Sequence, residues 1–433
     1  MLLELTVENY RSFKELSTLS LLAEPLKNDG IAIKTTTMGD SILPTVGIFG
    51  QNAGGKSNLY KALSVMANSI WNINPIVLPI GNQPFLQPFA LSVESRTKPI
   101  HLEIVLWDAK TASQYRYGFE VGNGIVQAEW LEITDRPQKN RRSRLIFERD
   151  KAQFSFAKTV RNNLEHLKPH VLETALAVNV FGNLGDPQSR RMLELLSPQH
   201  IKFIDASDTA NLVPYALDRY HGNEKLASEV VSFIRKADTG IASVSVDKFN
   251  ISSPNWPIEF QEDLKSKISI RPAVGFGYIP KSSHVVYDQD GNKTKDRQDF
   301  DFVTQESLGT QKMFALAVVL LEALDKGEVV VLDELGSSLH PFITKKIVEL
   351  FQDPLSNKSG AQLIFMSHDT FLLSKDPINS SLDLRRDQIW FVDKREDEVS
   401  ILRRLSEYRA KKEYELSKRY LEGRFGAVPI LDF

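Results

Sequence analysis

Gly50-Gln-Asn-Ala-Gly-Gly55-Lys56-Ser57 is the stretch on which the reading of this chain turns. It fits the spacing G-x-x-x-x-G-K-[ST], and its surroundings complete the pattern. An apolar run, Pro44-Thr-Val-Gly-Ile-Phe49, leads into it as a strand, and a helical pattern leads out from Lys56 to about Trp71. Glycines let backbone N–H groups turn inward around phosphate oxygens, and a helix N-terminus adds partial positive charge at the same place. The lysine of such a loop reaches the β- and γ-phosphates, and the hydroxyl that follows holds Mg2+. Gly50, Asn52, Gly54, Gly55, Lys56, Ser57 and Asn58 are therefore the candidate nucleotide contacts, with Ser57 also a metal ligand.

Working outward, Val329-Val-Val-Leu332-Asp333-Glu334 supplies a second half. Four apolar residues predict a buried strand whose carboxylates emerge at its end, where ligands of open α/β sheets sit. Asp333 is expected to hold Mg2+ through water and Glu334 to polarise an attacking water. Glu306-Ser307-Leu-Gly309-Thr-Gln311 opens a long helix, 307–325, that is apolar around most of its circumference. A Ser-x-Gly segment at a helix start offers a hydroxyl, backbone amides and dipole to an anion. Gly336-Ser-Ser-Leu-His340-Pro341 follows the acidic pair. The predicted strand Leu363–Met366 then ends in Ser367-His368-Asp369, where His368 is placed to face a γ-phosphate.

This ordered set resembles the ABC-type ATPases, with their P-loop, signature Ser-x-Gly-x-Gln, acidic pair, D-loop and switch histidine. The opening Asn9-Tyr-Arg-Ser-Phe13 and the run Asp333-Glu-Leu-Gly-Ser-Ser-Leu-His-Pro341 resemble the SMC/RecF/OLD branch. More closely, the chain resembles the bacterial AAA-type ATPases of abortive-infection systems (AbiLi-like and RloA-like). The segments carrying that likeness are Tyr115-Arg-Tyr-Gly118, Ala128-Glu-Trp-Leu131, Leu145-Ile-Phe-Glu-Arg149, Ala237-Asp-Thr-Gly-Ile241, Glu306–Gln311 and the terminal Tyr420-Leu-Glu-Gly-Arg-Phe-Gly-Ala-Val-Pro429.

The resemblance implies an α/β fold: an ABC/SMC-like P-loop ATPase head with a mixed central sheet, an antiparallel β subdomain and a mainly helical insertion. The lobes are expected at 1–157 and 238–433, with the insertion at 158–237. It also implies Glu334, His368 and Lys56 as catalytic residues and Arg11 as a nucleotide contact. Ser307 and Gly309 would act in trans, so the working unit would be a head-to-tail homodimer. Gln87, before Pro88-Phe89, is the expected Q-loop glutamine and a metal contact, with Gln83 its rival. The signature here reads Ser-Leu-Gly-Thr instead of Ser-Gly-Gly, which sets the chain apart from transporters.

Composition sets the outer limits. The 433 residues contain no cysteine, which excludes disulfides, thiolate metal sites and a cysteine nucleophile. Lys plus Arg number 53 against 55 Asp plus Glu, a balance that gives no support to a wholly basic nucleic-acid coat. No stretch approaches a membrane span, and Met1–Phe13 lacks the form of a signal peptide, so a soluble cytoplasmic protein is expected. Lys56 and Asp333 stand 277 positions apart, too far for a minimal nucleotide domain. Strand patterns fill about 85–156, helical ones 158–237 with a short strand at Ile201–Ile204, and a charged helix is expected from about 406 to 422. Asp288-Gln-Asp-Gly-Asn292 reads as a hairpin turn and not a calcium loop. The basic run Arg136–Arg144 reads as a solvated hairpin tip. Gly423-Arg-Phe-Gly426 is expected to dock on the domain or on a partner.

The functional expectation is an ATPase switch using ATP and Mg2+, pairing with its own copy and controlling an effector carried by another chain. Family resemblance implies antiphage defence with a TOPRIM- or RloB-like nuclease as partner, DNA contact being optional and membrane contact not expected. Two alternatives stand beside it. One is a RecF-like repair ATPase clamping duplex DNA, the other a low-turnover ATP-binding scaffold.

Overall fold

A computed structural model describes residues 1–26, 30–71, 86–135, 143–237, 239–250, 269–271, 276–374, 382–408 and 416–426. Gln83, most of the basic run (136–142), the stretch 409–415 and the tail beyond 426 lie outside the described residues. The chain divides into two compact units. The first comprises Met1–Phe203, Gly327–Leu335 and Lys345–Phe433, and the second comprises Ile204–Lys326 and Gly336–Thr344. The first unit is thus discontinuous, and the helical stretch 158–237 is shared between the two units.

The first unit holds two sheets. One is antiparallel and seven-stranded, in the order Gln153–Phe156, Ser143–Asp150, Ile125–Thr134, Ser113–Gly122, Ile100–Asp108, Leu2–Glu8, Ser17–Ser20. Alternation places Leu3, Leu5 and Val7 in buried positions, as half-buried strands require, although Leu3 joins a separate small cluster with Trp107. The other sheet is mixed and six-stranded: Ile201–Asp205, Val329–Asp333, Gln362–Ser367, Thr45–Gly50, Ile389–Lys394, Ser400–Arg404. Its central strands pair in parallel and are buried throughout, which explains their unbroken apolar runs. Leu59, Leu63, Met66 and Ile70 of the helix Lys56–Trp71 share one core with residues of both sheets.

Three of the segments that carry the family likeness meet in a buried network that joins the sheet to the turn and coil residues before the helix Ala177–Asn183. Gly118 stands opposite Trp130 across the sheet, and any Cβ at Gly118 would run into the indole. The Tyr117 hydroxyl donates to Glu129 at 2.9 Å, and Glu129 also accepts from the N–H groups of Ala177 and Val178 at 2.6 and 2.9 Å. Arg149 lies 3.8 Å from the same carboxylate and donates to the carbonyls of Ala175, Leu172 and Lys151. These residues tie the helix Ala177–Asn183 to the sheet, a structural task.

In the second unit, the helix Leu308–Lys326 is buried from Gln311 to Leu320, as its apolar circumference predicts. Phe314 meets Tyr220 and Phe302 edge-on, each at 5.1 Å. A four-stranded antiparallel sheet completes the unit, with Phe276–Tyr287 paired to Ile241–Asn250, Ser269–Arg271 and Lys293–Asp301. Asp288 accepts from the N–H groups of Asp290 and Asn292, which makes its segment the hairpin turn expected.

The expected strand after 388 is present as Ile389–Lys394, and Ser400–Arg404, for which the sequence predicts no element, is a strand paired antiparallel to it. Leu405–Glu407 is a single 3-10 turn, and the described helix covers only Leu416–Leu421. Two arginines in five residues and the lack of apolar alternation concealed the strand Ser400–Arg404, of which Ser400 and Arg404 are buried. Among the described residues no helix is long and apolar enough to cross a membrane.

Candidate nucleotide-binding site

Parallel pairing assembles the site. Ser367 lies beside Phe49 and Met366 beside Ile48, while Phe365 lies beside Leu332. Three strands therefore end together, and the glycine-rich loop, Asp333-Glu334 and His368 all emerge at that one edge. Their chain separations disappear in the register.

Gly50–Asn58, Glu334, His368 and Thr370 line a cavity of about 890 Å³, together with Tyr420 and Leu421. Such a volume matches a small-molecule site. Lys56 is 6% exposed, and its ammonium donates to the carbonyls of Gly50 and Gln51 at 2.8 and 3.0 Å. His368 Nδ1 is 3.2 Å from the same ammonium, and His368 Nε2 is 3.7 Å from Glu334 Oε1. Burial lowers the Lys56 pKa to about 8 against the opposing pull of Glu334 and Asp333. Burial and the Lys56 charge lower His368 below the usual imidazole range, with Glu334 opposing. The imidazole is thus neutral near pH 7 and able to accept from Lys56.

The carboxylates are fixed by the neighbouring strand. Glu334 adopts φ +60°, and its N–H donates to Asp333 Oδ1 at 3.2 Å. Leu335 N–H donates to the Met366 carbonyl at 2.9 Å, and the Ser367 hydroxyl returns a 2.6 Å bond to the Leu335 carbonyl. Asp333 is buried at the strand end, whereas Glu334 opens into the cavity. The residue types suit ATP with Mg2+: a glycine-rich loop at a helix start and a buried ammonium for phosphate, and a hydroxyl and carboxylate as hard oxygen donors.

The loop itself is braced by Ser12 of the Asn9-Tyr-Arg-Ser-Phe13 motif and by two residues the sequence did not single out, Val392 and Ser400. Gly55 has φ +122°, and a Cβ there would press on the hydroxyls of Ser12 and Ser400. Ser400 donates to the Gly54 carbonyl at 2.6 Å, Ser400 N–H donates to the Ser12 carbonyl, and Asn58 donates to Ser12 Oγ at 2.7 Å. A Cβ on Gly50 would collide with the Val392 carbonyl. Ser12 belongs to the Asn-Tyr-Arg-Ser-Phe turn, in which Asn9 and Arg11 both have positive φ. The Asn9 amide bridges three carbonyls, of Ser95, Lys98 and Pro99, and its oxygen accepts from Phe89 N–H.

Arg11 and Gln87 line a separate, smaller cleft of about 260 Å³ with Ser12 and Asn58, where Arg11 N–H donates to the Gln87 carbonyl. Neither lines the larger cavity; Asn58 lines both.

Ser307 and Gly309 belong to the second unit. Ser307 Oγ accepts from Thr310 N–H at 3.1 Å and so caps its own helix. A Cβ on Gly309 would lie 3.1 Å from the Ser338 carbonyl, and Lys312 donates to the Ser337 carbonyl. The segments Glu306–Gln311 and Gly336–Pro341 are therefore fastened to each other. Leu308, in the first of these segments, and Phe342, one residue after the second, are both exposed.

Comparison with known proteins adds three findings. A family model described as "AAA domain, putative AbiEii toxin, Type IV TA system" matches residues 46–374, about three quarters of the chain. No curated protein matches. Among solved structures, the SMC head domain from Thermotoga maritima aligns at 13% identity with a TM-score of 0.42, covering 93% of this chain and 98% of that one.

Proposed function

The chain belongs to this AAA-domain family of nucleotide-binding ATPases, and from that premise we propose that it is an ATP-driven switch in antiphage, abortive-infection defence. One observation carries the chemistry: Lys56, Glu334 and His368 converge with the glycine-rich loop on a single cavity. In this reading ATP lies with its phosphates on the amides of 52–57 and its charge against Lys56. Ser57 and Asp333 would hold Mg2+, which supplies charge neutralisation for the phosphates, with Gln87 a further contact from the adjoining cleft. Glu334 orients and deprotonates the attacking water, and neutral His368 donates to the terminal phosphate.

Two copies pair head to tail in the ATP state, each lending Ser307 and Gly309 to the nucleotide of the other. The exposed Leu308 and Phe342 support this reading, since an apolar rim suits a surface that is covered for part of the cycle. Hydrolysis separates the copies, and a separate nuclease effector in the cytoplasm reads the change. The description AbiEii-type supports the defence role.

Sedimentation of the Glu334→Gln variant tests the switch. It should form dimers with ATP and Mg2+ but not with ADP. If the variant holds ATP and stays monomeric, the switch reading is lost.

A further inference from the structure

One segment has no part in that scheme: Tyr420-Leu-Glu-Gly-Arg-Phe-Gly426. The helix Leu416–Leu421 packs on the 3-10 turn Thr370–Leu373, which begins two residues after His368. Tyr420 stacks on Phe391 with centroids 5.5 Å apart and planes 17° apart, and Phe425 stacks on Phe391 at 5.1 Å and 7°. Tyr408 meets Phe425 edge-on and donates its hydroxyl proton to the Phe425 carbonyl at 3.0 Å. Gly426, at φ +68°, passes Asp393 where a Cβ would collide. Phe391 precedes Val392, whose carbonyl backs Gly50 and Gly54. The terminal segment is therefore an aromatic clasp fastened to the strand that backs the phosphate loop.

The clasp also reaches the cavity. Tyr420 and Leu421 line it together with Thr370, which stands two residues after His368, and their helix packs on the turn that Thr370 begins. Leu421 is 62% exposed, an apolar side chain held at the rim of a site otherwise built of amides and charges. Burial pushes the Tyr420 hydroxyl up to about 12, so it brings no negative charge to a phosphate.

We propose that Tyr420 and Leu421 are part of the nucleotide site and that Leu421 covers the terminal-phosphate end of a bound nucleoside triphosphate, so that the clasp distinguishes triphosphate from diphosphate. The inference rests on the ATP reading given above. An apolar group placed there displaces water from the terminal phosphate and strengthens its attraction to Lys56. A diphosphate leaves that end to water, and Leu421 then contributes nothing.

Equilibrium binding of fluorescent ATP and ADP analogues to the full chain tests this. Leu421→Glu should weaken the triphosphate by about tenfold, the effect of one added like charge in partly screened surroundings, and leave the diphosphate within about twofold. Leu421→Gln should show a smaller loss of the same selectivity, and Phe425→Ala, which frees the clasp, should match Leu421→Glu in direction. Leu421 is exposed, so its variants should keep the wild-type melting temperature. Equal losses for both nucleotides, or none for either, overturn the inference. If the wild type binds ATP through Lys56 and Leu421→Glu does not discriminate, the clasp inference alone fails. If Lys56→Ala leaves binding intact, the ATP reading fails and the inference goes with it.

Discussion

The Lys56 ammonium and His368 Nδ1 stand 3.2 Å apart across 312 positions of chain. The pair separates two duties in one site. In the function proposed above, Lys56 would face charge already present in a bound phosphate, whereas His368 would face charge that grows during hydrolysis. Lys56→Ala should abolish ATP binding in equilibrium titration. His368→Ala should keep affinity within severalfold and slow single-turnover hydrolysis by about 100-fold, the ordinary worth of a positioned proton donor. An equal loss of binding in both variants would contradict this division.

Gly55 tests the brace beneath the loop. Alanine there meets both an unfavourable φ and the hydroxyls of Ser12 and Ser400. The expected cost is about 1–3 kcal/mol, appearing as about fivefold to 150-fold weaker ATP in calorimetry with little change in overall unfolding. Ser400→Ala removes one hydrogen bond to Gly54 and should weaken ATP by only about threefold to tenfold.

Asp108 predicts an acid limit. It accepts two bonds from Arg191, at 2.6 and 2.7 Å, and one from the Thr111 hydroxyl. Burial would raise this carboxyl, but the bonds from Arg191, Thr111 and the Lys110 N–H outweigh it and hold the pKa down to about 2, against 3.8 unperturbed. A depressed carboxyl pKa lends stability that is complete above the unfolded value and is lost as pH falls through the folded one. The contribution, about 2 kcal/mol, should therefore be intact above about pH 4 and gone near pH 2. Urea unfolding of Asp108→Asn should show that deficit at pH 6 and converge on the wild type at the acid end.

Glu129 predicts the opposite kind of loss, one of stability without chemistry. Glu129→Ala strands the amides of Ala177 and Val178, the Tyr117 hydroxyl and the buried Arg149. Denaturant unfolding should show about 3–5 kcal/mol of destabilisation. ATP affinity at low temperature, where the variant remains folded, should be unchanged.

Much of the site could be read from the chain because its parts are local. A loop between strand and helix, carboxylates ending an apolar strand, and a histidine ending another each leave a mark within ten residues. Parallel register then brings them together without further instruction. What could not be read is what holds them. Ser12, Val392 and Ser400 brace the loop through contacts that reach from one end of the chain to the other, and a serine in a charged hairpin carries no spacing that announces it. The terminal motif was visible as a pattern, but the stacking of Tyr420 and Phe425 on Phe391 depends on an interior strand of the sheet whose packing partner no local periodicity defines. The strand Ser400–Arg404 was hidden by its arginines, one of which, Arg404, is buried against the Asp387 and Leu22 carbonyls.

The strand order of the central sheet has a consequence for synthesis. Thr45–Gly50, buried on every residue, is flanked only by Gln362–Ser367 and Ile389–Lys394. Every pairing of the seven-stranded sheet, by contrast, lies within residues 2–156. A chain growing from the ribosome therefore holds an apolar strand with both edges unpaired through some 300 further residues, a state open to misassociation. ATP cannot help it, since the cradle has no walls until those late strands arrive. The nucleotide site is the last part of the first unit to exist, and any nascent chain released early carries the phosphate loop as a sticky, ligandless edge.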